Sequence, residues 1–221
     1  MVNKKWTYGD SWEKFPINEN EVWKAGNHLL SVRDLTNLSN LDFFGIKQFD
    51  MSYIDPPWNT GNINSFYTKA GLEERKQFNA FIIKLISLIK VYSPKVNYME
   101  MGKQNKDFVI NEIERAGGKV TNEWKITYYQ KYPCYLLRYT FSNSPAVNND
   151  FSGLDDDDTP ILAIKSELNI KNVLDLCTGR GLTGRTAQSL GISFYGTELN
   201  KRRIACLIDY FSQLNLSIHK L

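Results

Sequence analysis

Two hydrophobic periods alternate along the chain, and each change of period marks an element. Short β-branched or aromatic runs recur at residues 28–33, 49–54, 96–101, 173–177 and 192–197. Each run is too short for a helix and is bounded by turn residues, which predicts buried strands. Between them apolar positions fall at helical spacing. One such stretch is 72–92 (Phe78, Phe81, Ile82, Leu85, Ile86, Ile89), closed by Pro94; another is 106–116 (Phe108, Val109, Ile113), stopped by Gly117-Gly118. Residues 120–141 are rich in β-branched and aromatic side chains and break at 130–133, which predicts a two-stranded hairpin. Strands alternating with helices predict an α/β fold: a mostly parallel sheet with an antiparallel hairpin and helices on both faces.

The remaining segments read as connections. Residues 1–27 mix Trp6, Tyr8, Trp12, Phe15 and Trp23 with polar residues and Pro16, and predict an irregular arm whose rings pack on the body. Residues 35–44 read as a short helix or turn, and 59–71 as a polar Asn/Gly-rich loop carrying Phe66 and Tyr67. Residues 143–158 read as a flexible connector. They divide the catalytic domain, 28–221, into a catalytic region (28–142) and a cofactor-binding region (159–221). Thr159-Pro160, with proline at the first helical position, opens a helix over 161–168, and 200–214 closes the chain as a helix.

Composition changes this picture little. A chain of 221 residues with 42% apolar and 23% charged residues builds one full-sized core. No apolar run reaches membrane-spanning length, and Lys84 interrupts the longest. The amino terminus lacks an apolar stretch after Lys4-Lys5, so no signal peptide is predicted. Three cysteines (Cys134, Cys177, Cys206) without metal-type spacing predict a cytoplasmic protein. His28 and His219 match no zinc pattern, so no metal is expected. A net charge of +3 does not by itself diagnose nucleic-acid binding. Basic residues cluster at Lys4-Lys5, Arg75-Lys76, Lys103 to Lys106 and Lys201-Arg202-Arg203, against an acidic run from Asp155 to Asp158.

Two motifs carry the chemistry. In the first, an apolar run ends at Asp55-Pro56-Pro57-Trp58-Asn59-Thr60-Gly61-Asn62. Prolines cannot continue a sheet ladder, so the strand stops at Asp55. Ligands of open α/β sheets bind just beyond the carboxyl ends of the strands. A carboxylate, a stiff backbone carbonyl and a ring therefore lie where a planar substrate can sit. Alone, the quartet is as well explained by a rigid turn over a buried tryptophan. The second motif, Asp175-Leu176-Cys177-Thr178-Gly179-Arg180-Gly181, shifts the balance. It follows a strand, precedes a helix, and is answered by Glu198 at the end of the next strand, placed to accept hydrogen bonds from a ribose diol. Gly179, Gly181 and Gly184 fall at the Gly-x-Gly-x-x-Gly spacing of nucleotide-binding turns, so the spacing favours a nucleoside cofactor without telling which one.

Asp55 to Trp58 resembles the catalytic motif of methyltransferases acting on adenine N6, and residues 175–181 resemble their S-adenosylmethionine motif. With the catalytic motif first, the order resembles the circularly permuted, beta-type DNA N6-adenine methyltransferases, over most of the chain from about Asn27. The resemblance implies a Rossmann-like methyltransferase fold, S-adenosyl-L-methionine as cofactor, DNA as partner and a setting such as restriction–modification. It implies too that Asp34 lies at the cofactor adenine, Asp158 and Thr159 at its methionine end, and that Asp rather than Ser before Pro-Pro selects adenine over cytosine. Cys177 stands where the family carries phenylalanine, and Trp58 where tyrosine is commoner. No segment is long enough for a separate recognition domain. Sequence choice then falls to short loops or to a partner (a recognition or partner subunit, or a second copy in a homodimer), or is loose.

On that reading Asp55 and the Pro56 carbonyl accept the two amine hydrogens, Pro57 keeps the carbonyl rigid, and the flipped base stacks on Trp58. Candidate nucleic-acid contacts are Asn59, Asn62, Phe66 and Tyr67 in the 59–71 loop, and Lys131 in the Tyr128-to-Tyr132 turn. Each competes with a plainer reading, a capped surface loop and an ordinary hairpin. The acidic run is expected to lie away from DNA, apart from Asp158. None of the cysteines is expected to act as a nucleophile. Two rivals stay open: adenine-N6 methylation of RNA, and a non-catalytic cofactor-binding subunit of a larger modification or defence complex.

Overall fold

The structure is a computed structural model describing residues 8–73, 76–93 and 95–221. Lys4, Lys5, Trp6, Arg75 and Pro94 lie outside the described residues. In chain order the elements are α1 (Ser11–Lys14), β1 (Val22–Ala25), β2 (His28–Val32), β3 (Met51–Ile54), α2 (Thr60–Lys69), α3 (Phe78–Tyr92), β4 (Val96–Gly102) and α4 (Lys106–Arg115). They continue with β5 (Lys119–Tyr128), β6 (Tyr132–Thr140), α5 (Thr159–Ser166), β7 (Asn172–Asp175), α6 (Leu182–Ser189), β8 (Ser193–Glu198), α7 (Lys201–Gln213) and β9 (Ile218–Lys220).

The strands form one sheet in the order β5-β6-β4-β3-β7-β8-β2-β1-β9. Its centre, from β4 to β2, is parallel, and both edges are antiparallel. Alternate residues of the central strands feed different faces, as the pleat requires. Ile54, Met99 and Met101 join the core under α3 and α4. Met51, Tyr53, Val96 and Tyr98 join the core that includes Ala163 and Ile164 of α5. A third cluster seats Ile204, Leu207, Ile208 and Phe211 of α7 against Leu30 and Phe194. This is the α/β sheet with helices on both faces that the periodicity predicts.

Chain direction creates the functional geometry. From β3 the chain crosses to β4 on one side, whereas from β7 it crosses to β8 on the other, so β3 and β7 flank the point where strand order reverses. Such switch points open a crevice at the carboxyl ends of the strands.

Three expectations are corrected. Residues 59–71 are mostly helix, not loop: α2 spans Thr60–Lys69. Asn59 caps it by accepting the Asn62 N–H (2.8 Å), and Ile63 and Tyr67, one turn apart, bury its inner face. Capping and burial override the poor helix propensity of Gly and Asn. Residues before 28 are not wholly irregular, because β1 lies between β2 and β9. The 143–158 connector is strapped to the outside of β5. Phe151 is buried, and backbone bonds join Gly153 to Lys125, Thr127 to Leu154 and Asp156 to Thr127.

Candidate active site at the carboxyl edge of the sheet

The motif residues converge on one edge. Asp55 follows β3, Asp175 ends β7, Glu198 ends β8 and Asp34 follows β2, and these four strands are consecutive neighbours running the same way. Pro56 and Pro57 are buried, and Asp55 and Trp58 are half-buried. The Trp58 indole N–H donates to Asp55 Oδ1 (3.1 Å), and the Asn105 side-chain amide donates to the Trp58 carbonyl (2.7 Å). The ring lies against Gly102, where an added Cβ would come within 2.8 Å of Trp58 Cε3. Gly102→Ala should therefore displace Trp58 and lower any turnover that uses it by up to about 10²-fold, the reach of a 1 Å misplacement. Wild-type rate with unchanged tryptophan fluorescence would show that the ring is not displaced.

The glycine loop is built as the second motif requires. Gly179 and Gly181 have φ of +56° and +84°, a left-handed backbone that favours glycine. At Gly181 a Cβ would also meet the Leu207 side chain at 2.5 Å. Glu198 organises the loop: Oε2 accepts the Gly179 N–H (2.8 Å) and Oε1 accepts the Asn200 N–H (2.9 Å). Asp175 Oδ1 accepts the Cys177 N–H (2.9 Å). Burial drives the Cys177 thiol well up, aided by Asp175 and Glu198, so it stays protonated.

The edge is rich in carboxyls whose charge is suppressed. Burial raises Asp55; the Trp58 bond lowers it, Asp156 raises it further and Arg203 opposes. Burial likewise raises Glu100, reinforced by Asp55. Burial takes Asp175 to about 8 and Asp156 to about 6, each partly offset by a backbone N–H. Glu100 was not among the sequence candidates. It lies in β4 and accepts the Tyr53 hydroxyl on Oε1 (2.6 Å), while its Oε2 is buried with no hydrogen-bond partner among the described residues. A charged residue inside an apolar strand was the available signal. Arg203, one of the basic cluster Lys201-Arg202-Arg203, is half-buried. Its guanidinium lies 3.9 Å from Glu198 Oε2 and over the Phe66 ring (4.9 Å).

Several other candidates are engaged within the fold. Asp34 is taken up by its own turn: Oδ1 accepts from the Thr36 N–H and the Thr36 and Tyr67 hydroxyls, Oδ2 accepts from the Asn37 amide, and the Lys76 ammonium forms an ion pair with it at 3.8 Å. Tyr67 is consequently buried against Asp34 rather than offered to nucleic acid, and Phe66 is half-buried beside Arg203 and Lys69. Asn59 serves as a helix cap while Asn62 is exposed. Thr159 is buried 2.5 Å from the Tyr53 hydroxyl; Asp158 is exposed and makes no capping bond. Lys131 is exposed, its ammonium 5.2 Å from the Tyr132 ring centre. Two residues of the acidic run lie beside the site. Asp155 and Asp156 sit under the hairpin turn, and Asp156 acts on Asp55.

No protein-family profile matches the sequence, and no curated protein sequence matches it significantly. Solved structures do resemble it. M1.HpyAVI superposes with a TM-score of 0.60 at 15% identity, over 82% of this chain and 97% of that one. A second structure of the same protein is its complex with S-adenosylmethionine (SAM). TTHA0409 of Thermus thermophilus, described as a proposed DNA modification methylase and complexed with S-adenosyl-L-methionine, gives a TM-score of 0.57 at 13% identity over 84% and 93% of the two chains. The PvuII DNA methyltransferase, cytosine-N4-specific, gives a TM-score of 0.61 at 11% identity over 89% and 95%. At such identities the likeness is one of architecture: the chain has the Rossmann-like fold of these proteins.

Proposed function

We propose that this chain is an S-adenosyl-L-methionine-dependent methyltransferase that methylates the exocyclic N6 of adenine in DNA. The observation that carries the reading is the position of Asp55-Pro56-Pro57-Trp58: at the carboxyl end of β3, on the switch point, beside the glycine loop that follows β7. The shared fold with proteins crystallised with that cofactor supports it.

The residues present fit such a cofactor. Glu198 keeps a free lone pair on each oxygen after its two backbone bonds, enough for ribose hydroxyls. Asp55 and Glu198 both act electrostatically on Asp175, and this concentration of carboxyls suits a cationic sulfonium. When bound, the cofactor supplies an electrophilic methyl group. The chain's own part is positioning and charge. Asp55 and the Pro56 carbonyl accept the two hydrogens of the amine and turn its lone pair toward the methyl donor. Pro57 holds that carbonyl fixed, so no reorganisation accompanies transfer. As positive charge develops on the nitrogen, the Asp55 carboxylate stabilises it. Trp58, steadied by Asp55, Asn105 and Gly102, offers a face for the base.

The test is transfer of labelled methyl to unmethylated duplex DNA, single-stranded DNA and RNA, with the modified nucleoside identified by mass spectrometry. N6-methyladenine in DNA is expected. N4-methylcytosine or label in RNA alone would overturn the substrate assignment. Glu198→Ala should weaken S-adenosylmethionine binding by about ten-fold or more, as loss of hydrogen bonds to a charged group does; unchanged affinity would move the ribose elsewhere.

A further inference from the structure

The turn between β5 and β6 is strained, and the strain is specifically supported. Tyr129 and Gln130, neither of them glycine, have φ of +53° and +55°. Two consecutive left-handed residues with side chains persist only where their surroundings hold them, and such strain concentrates at binding and catalytic sites. Here the connector holds them. Asp155 Oδ1 accepts the Gln130 N–H (2.6 Å) and the Thr127 hydroxyl (2.9 Å), and Asp156 Oδ1 accepts the Tyr129 N–H (2.8 Å). Two carboxylates are thus committed to the backbone of one exposed turn.

What the turn displays is aromatic. From Trp58 the rings run outward: Tyr128 lies 4.9 Å from Trp58 and Tyr129 4.2 Å from Tyr128, centre to centre. Tyr132 is the cross-strand partner of Tyr128, which places both on one face of the hairpin. Tyr129 and Tyr132 are 43% and 52% exposed, a cost in water that the core does not require. Lys131 adds a cation beside Tyr132. The rings are continuous with the catalytic quartet at one end and open to solvent at the other.

We infer that this tyrosine ladder is a stacking track for bases flanking the target, so that the enzyme engages its substrate as a single strand rather than as closed duplex DNA. The inference rests on the methyltransferase reading for the identity of the target but not for the existence of the track. Aromatic platforms with an adjacent cation bind unstacked bases without sequence preference, whereas paired bases in a duplex present no faces to them. Asp155 and Asp156 keep their charge but each aims an oxygen at an N–H group of the turn, and Lys131 supplies a cation beside the exposed Tyr132 ring.

The experiment is fluorescence anisotropy with a labelled adenine-containing single strand and with its blunt duplex, alongside titration of S-adenosylhomocysteine. Wild type should bind the single strand more tightly. Tyr129→Ala and Tyr132→Ala should each weaken it five-fold or more, with S-adenosylhomocysteine affinity unchanged. Tyr129→Phe, which keeps the ring, should bind like wild type, and Asp155→Ala, which removes no ring, should weaken binding by freeing the turn. Equal affinity for strand and duplex, alanine variants that bind like wild type, or a Phe variant as weak as Ala would each overturn the track. Failure of wild type to bind S-adenosylhomocysteine would remove the methyltransferase reading while leaving the oligonucleotide result to judge the track on its own.

Discussion

Asp55→Asn is expected to slow methyl transfer by about 10²–10³-fold while leaving S-adenosylmethionine affinity within a few-fold of wild type. The magnitude is that of removing one preorganised electrostatic contact to a developing charge. Asparagine is the informative replacement because its Oδ1 can still accept the Trp58 indole N–H that Asp55 Oδ1 accepts. The ring stays in place, and only the charge is lost. The substitution should also stabilise the empty protein at pH 8, since burial raises Asp55 and makes its ionised form unfavourable there. Lower rate with higher melting temperature is the signature of a group kept for chemistry at the expense of stability. Turnover near the wild-type rate, or loss of cofactor binding in parallel with turnover, would remove Asp55 from the role assigned to it.

Much of this edge was legible because its signals are local. Pro56 and Pro57 end β3 whatever surrounds them. The Gly179 and Gly181 conformations follow from a tight turn, and the strand–loop–helix run from Asn172 to Ser189 reads directly from its period. Elements whose cause is tertiary were not legible. Helix α2 looks like a loop because Asn59, Gly61, Asn62 and Asn64 are poor helix formers, yet the Ile63–Tyr67 spacing and the Asn59 cap were present in the sequence. The connector looks mobile by composition. Only the β5 edge, with Phe151 buried beneath, gives Gly153, Leu154 and Asp156 partners. Asp34 shows the reverse limit: a residue assigned by motif position proves to be engaged by Thr36, Asn37, Tyr67 and Lys76. A motif specifies where a side chain starts, not which neighbours reach it first.

The carboxyl cluster makes a second large expectation, that the cofactor-free protein becomes less stable as pH rises from 6 to 8. Asp156 titrates at about 6 and Asp175 at about 8, and burial raises Asp55 and Glu100 as well. In the unfolded chain all four release their protons near pH 4. Between that value and the folded ones, the native state holds protons the unfolded state has lost, so raising the pH favours unfolding. His28 works the other way, because burial lowers it, but it is one group against four and acts below its ordinary range. The thermal midpoint should fall on the order of 10 °C between pH 6 and pH 8, a few kcal/mol for a chain of this size. Glu100→Gln, which removes an ionisable group whose Oε2 is buried without a hydrogen-bond partner among the described residues, should flatten that slope. A cationic cofactor should reverse part of it: binding beside these carboxyls favours their ionised forms, so S-adenosylmethionine should bind more tightly at pH 8 than at pH 6 and release protons as it does. Scanning calorimetry and titration calorimetry in buffers of different ionisation enthalpy measure the two halves. A midpoint that rises with pH, or binding without proton release, would mean that the carboxyls are already ionised in the empty site.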